Sequence, residues 1–138
     1  EARAAVRARG RFTVAISGTG SVTKAGAGLW VLSGASSYTG DTTVNSGTLI
    51  ANRPNNTLNP VTSAIGNNQV VRNVTVEDGA TLQINSGDTL GGNSSTIATT
   101  LVINEGGTVT NGGGVFNRLG SVTLNGGTLT SVSGAIVS

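Results

Sequence analysis

Residues 42–50 read TTVNSGTLI, and this short stretch decides the fold. Apolar and polar residues alternate on both sides of a turn that ends in glycine, which is typical of strands with one buried face. Variants recur as VTVEDGATLQI at 74–84, LVINEGGTVT at 101–110 and SVTLNGGTLT at 121–130. The chain therefore repeats one unit, in which a short strand, a tight turn and a second strand follow one another.

The apolar residue that follows each turn gives the length of this unit. It falls at Trp30, Leu49, Leu82, Leu90, Val109 and Leu129. The spacings are 19, 33, 8, 19 and 20 residues, so the recurring unit is 19–20 residues long. That is the length of one coil of a parallel β-solenoid, in which each unit buries its apolar face only by stacking on the next. Glycines at 47, 79, 106 and 126–127 are predicted to take positive φ at the corners.

Composition supports an all-β chain. Gly, Thr, Ser and Asn make up half of the 138 residues, whereas aromatic residues account for 3% and charged residues for 10%. An antiparallel sandwich is the competing fold, but it needs hairpins and a wider core seeded by aromatic side chains. The four aromatic residues are Phe12, Trp30, Tyr38 and Phe116. The solenoid is therefore the preferred prediction, with Trp30 in its core.

One segment departs from the repeat. Residues 52–69 read NRPNNTLNPVTSAIGNNQ and account for the wide gap between Leu49 and Leu82. Proline cannot donate a hydrogen bond to a central ladder, and paired asparagines favour turns. We predict an excursion loop from one edge of a coil. Such loops often carry binding residues, although a tolerated surface insertion is the plainer interpretation.

Positive charge is concentrated at the start of the chain. Residues 1–11 carry four arginines against Glu1, while the remaining residues carry a net charge of −1. These arginines are Arg3, Arg7, Arg9 and Arg11. We predict an Arg-rich head at 1–11, which is either a solvated leader or cap or a docking element for an acidic surface, followed by one β-helix domain at 12–138. The β-helix domain lacks the basic stripe that nucleic-acid binding requires.

Several kinds of chemistry are excluded or disfavoured by the residues present. The chain contains no Cys and no His, which removes thiolate and imidazole metal sites and the usual catalytic triads. Asp78 and Glu105 precede equivalent turn glycines and could stack as paired acids, but carboxylates at turn edges are normally solvated. No apolar stretch approaches the roughly 18 residues of a membrane-spanning helix. We expect no enzymatic activity, no cofactor and no metal.

Residues 20–52, GSVTKAGAGLWVLSGASSYTGDTTVNSGTLIAN, resemble the autotransporter-associated β-strand repeat, also called the passenger-associated transport repeat. The likeness lies in Thr23-Lys24, Leu32-Ser33-Gly34, Tyr38-Thr39-Gly40 and Gly47-Thr48-Leu49. It implies a right-handed parallel β-helix, here of about six or seven rungs, on an exported bacterial surface protein, and it implies no catalytic residue. Ser37 and Asp41 stand where the family usually has Asn and Gly.

Two hypotheses of function follow, with a third of lower weight. In the first, the chain is a structural module, a rigid stalk or an adhesive segment of an extracellular passenger. In the second, open end rungs pair between identical chains and build a fibre, because the C-terminal SVSGAIVS at 131–138 carries no polar cap. The third is a β-helix that binds or cleaves polysaccharide, with Tyr38 as the candidate contact to a host or matrix glycan.

Overall fold

The computed structural model describes residues 2–5, 10–53, 62–90, 99–112, 115–132 and 134–137. Among these residues every regular element is a β-strand. In chain order the strands are β1 (Ala2–Ala5), β2 (Gly10–Phe12), β3 (Val22–Ala25), β4 (Leu29–Leu32), β5 (Thr42–Val44), β6 (Thr48–Ala51), β7 (Thr62–Ser63), β8 (Gly66–Asn67), β9 (Arg72–Val76), β10 (Thr81–Ile84), β11 (Thr99–Asn104), β12 (Thr108–Asn111), β13 (Val115–Arg118), β14 (Ser121–Asn125), β15 (Thr128–Ser131) and β16 (Gly134–Val137).

Two parallel sheets of six strands form the body of the molecule. The first sheet has the order β1-β3-β5-β9-β11-β14, and the second has the order β2-β4-β6-β10-β12-β15. Each turn of the chain adds one strand to each sheet, next to the strand added before it. A short parallel pair, β13 and β16, forms a third side late in the chain. The predicted all-β solenoid of stacked parallel strands is confirmed.

The register of the second sheet follows the repeat read from the sequence. Trp30 pairs with Leu49, Leu49 with Leu82, Leu82 with Val109, and Val109 with Leu129. The assignment of Leu90 to this series is wrong. Leu90 lies after β10, outside both sheets, although its side chain is fully buried. The chain therefore makes one long coil from Leu82 to Val109, and the short step from Leu82 to Leu90 does not mark a separate strand.

Alternation places one face of each strand in the core. Along β9, β11 and β12, every second side chain is buried and the residues between them face outward. Aliphatic side chains stack on their equivalents one strand away, at the ~4.8 Å spacing of a sheet. Burial of each such side chain contributes about 1.5–3 kcal/mol. The core forms by this stacking, because one coil alone has nothing to cover its inner face.

The excursion at 52–69 differs from the prediction. Residues 54–61 lie outside the described part of the chain, but β7 and β8 form an antiparallel hairpin whose Ala64 and Ile65 belong to the hydrophobic core. Ser63 also pairs with Ser36 in an isolated bridge. The described part of the excursion thus packs into the core through this hairpin, whereas the prediction for residues 54–61 lies outside the described residues.

The Arg-rich head is also part of the stack. β1 pairs in parallel with β3, and β2 pairs in parallel with β4, in the same register that the later strands keep. The boundary predicted between residues 11 and 12 falls inside β2. The described portions of the head thus supply the first strand of each sheet.

The turn glycines behave largely as the sequence predicts. Positive φ angles occur at Gly47 (68°), Gly79 (71°), Gly106 (72°) and Gly126 (85°). Gly127 does not share this conformation. One left-handed residue per turn lets the chain leave the first sheet and enter the second within a few residues.

Candidate functional site

Tyr38 was the candidate glycan contact, and the structure contradicts that role. Its side chain is 1% exposed, so a sugar cannot reach the ring. The phenol oxygen lies 2.7 Å from Oγ1 of Thr42, and either group can donate the hydrogen bond. Burial raises the pKa of Tyr38 to about 12. Tyr38 is a core residue beneath the hairpin, where Gly66 packs against its ring.

A buried guanidinium forms the centre of a polar cluster inside the coil that runs from Leu49 to Leu82. Arg72 is 1% exposed. It donates to the carbonyl oxygens of Asn67 (2.9 Å), Ile65 (2.7 Å) and Thr89 (3.2 Å) and to Oδ1 of Asn68 (2.7 Å). Burial lowers its pKa to about 10, although Tyr38 and Asp41 partly oppose the shift. With four acceptors around it, Arg72 ties the hairpin to β9 and to the loop after β10.

The buried side-chain amide of Asn117 supports the loop that follows β10, in the coil from Leu82 to Val109. Oδ1 of Asn117 accepts hydrogen bonds from the backbone N–H groups of Thr89 (2.7 Å) and Leu90 (3.1 Å). Its Nδ2 donates to the carbonyl oxygen of Ser86 (3.3 Å) and to Oδ1 of Asn111 (2.9 Å). Because these groups are buried and paired, the cluster fixes the path of the loop and offers no site for a substrate.

Neither buried cluster was predicted from the sequence. Arg72 lies two residues before Val74 on the same strand, so the alternation that buries Val74 and Val76 also turns Arg72 inward. That alternation is the sequence signal that could have located Arg72. Asn117 carries a comparable signal only once the position of β13 is known, because the glycines before it interrupt the pattern.

The paired carboxylates lie at the turns. β9 pairs with β11 and β10 pairs with β12, so Asp78 and Glu105 occupy equivalent positions in neighbouring layers. Both side chains are exposed to solvent. No group of three or more acidic, His or Cys side chains that could hold a metal ion occurs among the described residues. That part of the chain also contains no helix that is long and apolar enough to cross a membrane.

Of the four arginines predicted to dock on a partner, the structure describes the side chain of one. Arg11 is exposed in β2. The side chains of Arg3, Arg7 and Arg9 lie outside what the structure describes. The docking role of these arginines stays a prediction.

Two exposed aliphatic side chains lie on β14, in the last described layer of the stack, which β14 and β15 form and which we call the C-terminal end face. Val122 and Leu124 of β14 occupy the same columns as the fully buried Leu101 and Ile103 of β11. Yet Val122 is 37% exposed and Leu124 is 54% exposed. Because β14 and β15 are the last strands of their sheets in the described chain, these core positions have no layer above them.

Two layers of the stack, β3 with β4 and β5 with β6, pair with each other in parallel in both sheets. Residues 22–51, which span these two layers, match the passenger-associated-transport-repeat family. The match covers less than half of the chain. Comparison with curated proteins gave no match, and comparison with solved structures gave none either. The resemblance proposed from the sequence is therefore confirmed for these residues.

Within the matched residues 22–51, Lys24 has an unusual environment. Its side chain is buried, and its Nζ donates to the carbonyl oxygens of Ala25 (3.1 Å), Gly26 (2.7 Å) and Ser46 (3.0 Å). Burial lowers the pKa of the ammonium group. The Ser46 bond crosses from one layer of the repeat to the next. Lys24 thus caps turn carbonyls in both layers and joins the two halves of the repeat.

Proposed function

We propose that this chain is a rigid, non-enzymatic segment of the passenger of an exported bacterial surface protein. The observation that carries the proposal is the uninterrupted parallel register from β1 to β14 and from β2 to β15, with the passenger-associated transport repeat inside it. A stack of this kind holds its two ends at a fixed separation, which is the property that a stalk needs.

The distribution of side chains favours a stalk over a carbohydrate-binding surface. Sugar rings bind best to exposed aromatic faces, and Trp30 and Tyr38 are both buried. Among the aromatic side chains that the structure describes, Phe116 on the short third side is the one exposed ring. Arg72 and Tyr38, whose pKa values burial shifts most, are enclosed in the core and hydrogen-bonded within it. These features support a role as a spacer that carries other parts of a surface protein.

The rigidity of the segment can be measured directly, because the chain has no cysteine of its own. Exposed Val14 and Thr130 lie near opposite ends of the stack, so the double variant Val14→Cys, Thr130→Cys accepts one spin label at each end. Pulsed electron–electron distance measurements should give one narrow distribution, no wider than the labels themselves produce.

The same labelled chain in denaturant provides the reference for a flexible molecule, in which the distribution should be broad. Labelled chains diluted with unlabelled chains remove distances between molecules. A broad or two-peaked distribution under native conditions would contradict the stalk, since the two ends would then move independently.

A further inference from the structure

The sequence contains the dipeptide Asn-Gly twice, and both copies stand in the tripeptide Asn-Gly-Gly. Asn111 is the last residue of β12, and Asn125 is the last residue of β14. Asparagine is thermally labile, above all before glycine, because the glycine amide nitrogen has no side chain beside it to hinder its attack on the asparagine Cγ. The fold places the two copies in opposite environments.

The copy at Asn111 is enclosed. Asn111 is 0% exposed, and its Oδ1 accepts a hydrogen bond from Nδ2 of Asn117 (2.9 Å). Its own Nδ2 donates to Oγ of Ser131 (3.4 Å). The nitrogen that would attack, the backbone amide of Gly112, donates to the carbonyl oxygen of Ile84 (2.7 Å). The side chain and the attacking nitrogen are therefore both held in the stack.

The copy at Asn125 lies on an outer corner. Asn125 and Gly126 are exposed, and Gly126 has a φ of 85° in the turn between β14 and β15. This exposure belongs to the corner position, since Asn45 is exposed at the same corner of an inner layer, where β5 pairs with both β3 and β9. Nδ2 of Asn125 donates to Oδ1 of Asn104 (3.0 Å) in an exposed hydrogen bond, which water can replace.

We propose that Asn125 is a site of spontaneous deamidation and that Asn111, in the same tripeptide, is protected. The Gly126 nitrogen bonds to Cγ of Asn125 and the Cγ–Nδ2 bond breaks, so the side-chain nitrogen leaves as ammonia with the proton of the Gly126 amide. Water then opens the cyclic imide at one of its two carbonyl carbons, which gives aspartate or isoaspartate. This inference does not depend on the proposed stalk, because it concerns the chemistry of one corner.

The reaction alters a ladder of side-chain hydrogen bonds that crosses three layers. Asn125 donates to Asn104, and Nδ2 of Asn104 donates to Oε2 of Glu77 (2.7 Å). An ionised aspartate in place of Asn125 has no proton to donate, so its hydrogen bond to Asn104 becomes a contact between two oxygens. Isoaspartate also adds a methylene group to the main chain, between two strands whose register is fixed. Deamidation therefore loosens the connection from β14 to β15.

Mass spectrometry of the ageing chain tests the proposal. The native protein is kept at pH 8 and 37 °C, and samples taken over time are unfolded and cleaved with trypsin. Cleavage releases residues 119–138, in which Asn125 is the sole asparagine, and residues 73–118, which contain Asn111. Asn125 should gain the mass of deamidation at least about ten times faster than Asn111, which reacts only through local opening of the stack.

The same chain in urea gives the intrinsic reactivity, and both asparagines should react there at similar rates because the two tripeptides are identical. Asn125→Gln is the matched variant. It keeps an amide at the corner, but glutamine forms a larger ring that closes slowly, so residues 119–138 should keep their mass. Enzymatic methylation of isoaspartate should label residues 119–138 of the aged wild type and not those of the variant.

Two results overturn the proposal. If residues 119–138 of the native chain keep their mass, the corner protects Asn125. If Asn111 and Asn125 react at equal rates in the native chain, burial and hydrogen bonding give Asn111 no protection.

Discussion

Two cations are buried in the described part of this molecule, and no carboxylate of that part hydrogen-bonds to either of them. Arg72 and Lys24 are surrounded mainly by backbone carbonyl oxygens, which the turns and the hairpin direct inward. Removal of such a cation from water is costly, but several charge-assisted hydrogen bonds offset the cost when every donor finds an acceptor. Trp30 was predicted correctly as a core residue because it occupies the strand position that is equivalent to Leu49. Arg72 was missed because a charged side chain is expected outside, and only the fold provides its acceptors.

Tyr38 leads to a prediction about alkaline pH. The unfolded chain releases the phenol proton near pH 10, whereas the folded chain keeps it up to about pH 12. Because the folded state then binds more protons than the unfolded state, stability must fall as the pH rises through this window. Tyr38→Phe should be about 1 kcal/mol less stable at pH 8, since it loses the hydrogen bond to Thr42. That deficit should vanish or reverse above about pH 11, where Tyr38→Phe escapes the cost of keeping a phenol protonated.

Urea unfolding at pH 8 and pH 11.5 measures both effects. Thr42→Val is the control, because it removes the same hydrogen bond and leaves the phenol in place. It should retain the alkaline loss of stability that Tyr38→Phe lacks. If the wild type and Tyr38→Phe lose stability in parallel, the phenol does not titrate in the way that burial requires.

The strands and the turns that join them could be predicted closely, but the length of each coil could not. The alternation in TTVNSGTLI fixes which side chains point inward and places glycine at the corner between the sheets. The coils from Leu49 to Leu82 and from Leu82 to Val109 are both longer than the repeat. Ile65 of the first of these coils accepts a hydrogen bond from Arg72, and the Thr89 N–H of the second donates to Asn117. Hydrogen bonds from single residues that have no counterpart in the repeat create these clusters, at separations from 4 to 31 residues, and a search for periodicity does not detect them.

The turn glycines differ in how much space surrounds them, which gives a prediction within one class of element. Gly47 and Gly79 have nearly the same φ, 68° and 71°. A Cβ at Gly47 would overlap the carbonyl oxygens of Gly26 and Gly28 and lie 2.7 Å from Nζ of Lys24, whereas a Cβ at Gly79 meets nothing within 4 Å. Gly79→Ala should cost about 1–2 kcal/mol, the strain of a left-handed alanine. Gly47→Ala should cost clearly more, because it also disrupts the hydrogen bonds of Lys24.

Thermal or urea unfolding of the two alanine variants under the same conditions makes the comparison. Equal losses would mean that backbone conformation alone sets the cost at both corners. In that case the close packing around Gly47 would have no energetic weight.

At the scale of the whole molecule, each layer contacts only the layers beside it, so stability is distributed along one axis. The sequence supports this architecture well, because the register of Trp30, Leu49, Leu82, Val109 and Leu129 follows directly from the repeat. The sequence alone does not show whether strand pairing continues into the Arg-rich head. The Arg-rich head was predicted to be a separate element, but β1 and β2 show that strand pairing continues into it.

Strands inside the stack pair with a neighbour on each side and the last strands pair on one side only, which predicts different rates of amide hydrogen exchange along the axis. Amides of β6 and β10 have a strand on each side and should be strongly protected, whereas amides of β14 and β15 should exchange faster through local opening at the end of the stack. Hydrogen–deuterium exchange followed by mass spectrometry at low protein concentration measures the gradient. Uniform protection from β6 to β15 would contradict it and would indicate that the molecule opens only as a single unit.

Lys24 has one more consequence, which concerns how the chain finds its alignment while it folds. In a solenoid of near-identical units, any strand could settle against any other, and an error of one whole layer would exchange one aliphatic contact for another. The column that contains Lys24 otherwise holds alanine, valine, isoleucine and leucine. In the native alignment the ammonium group meets its third acceptor, the backbone carbonyl oxygen of Ser46 in the neighbouring layer. A misaligned chain leaves it short of partners in an apolar setting. This single lysine therefore favours the native pairing of its strand over pairing with the strand of another layer.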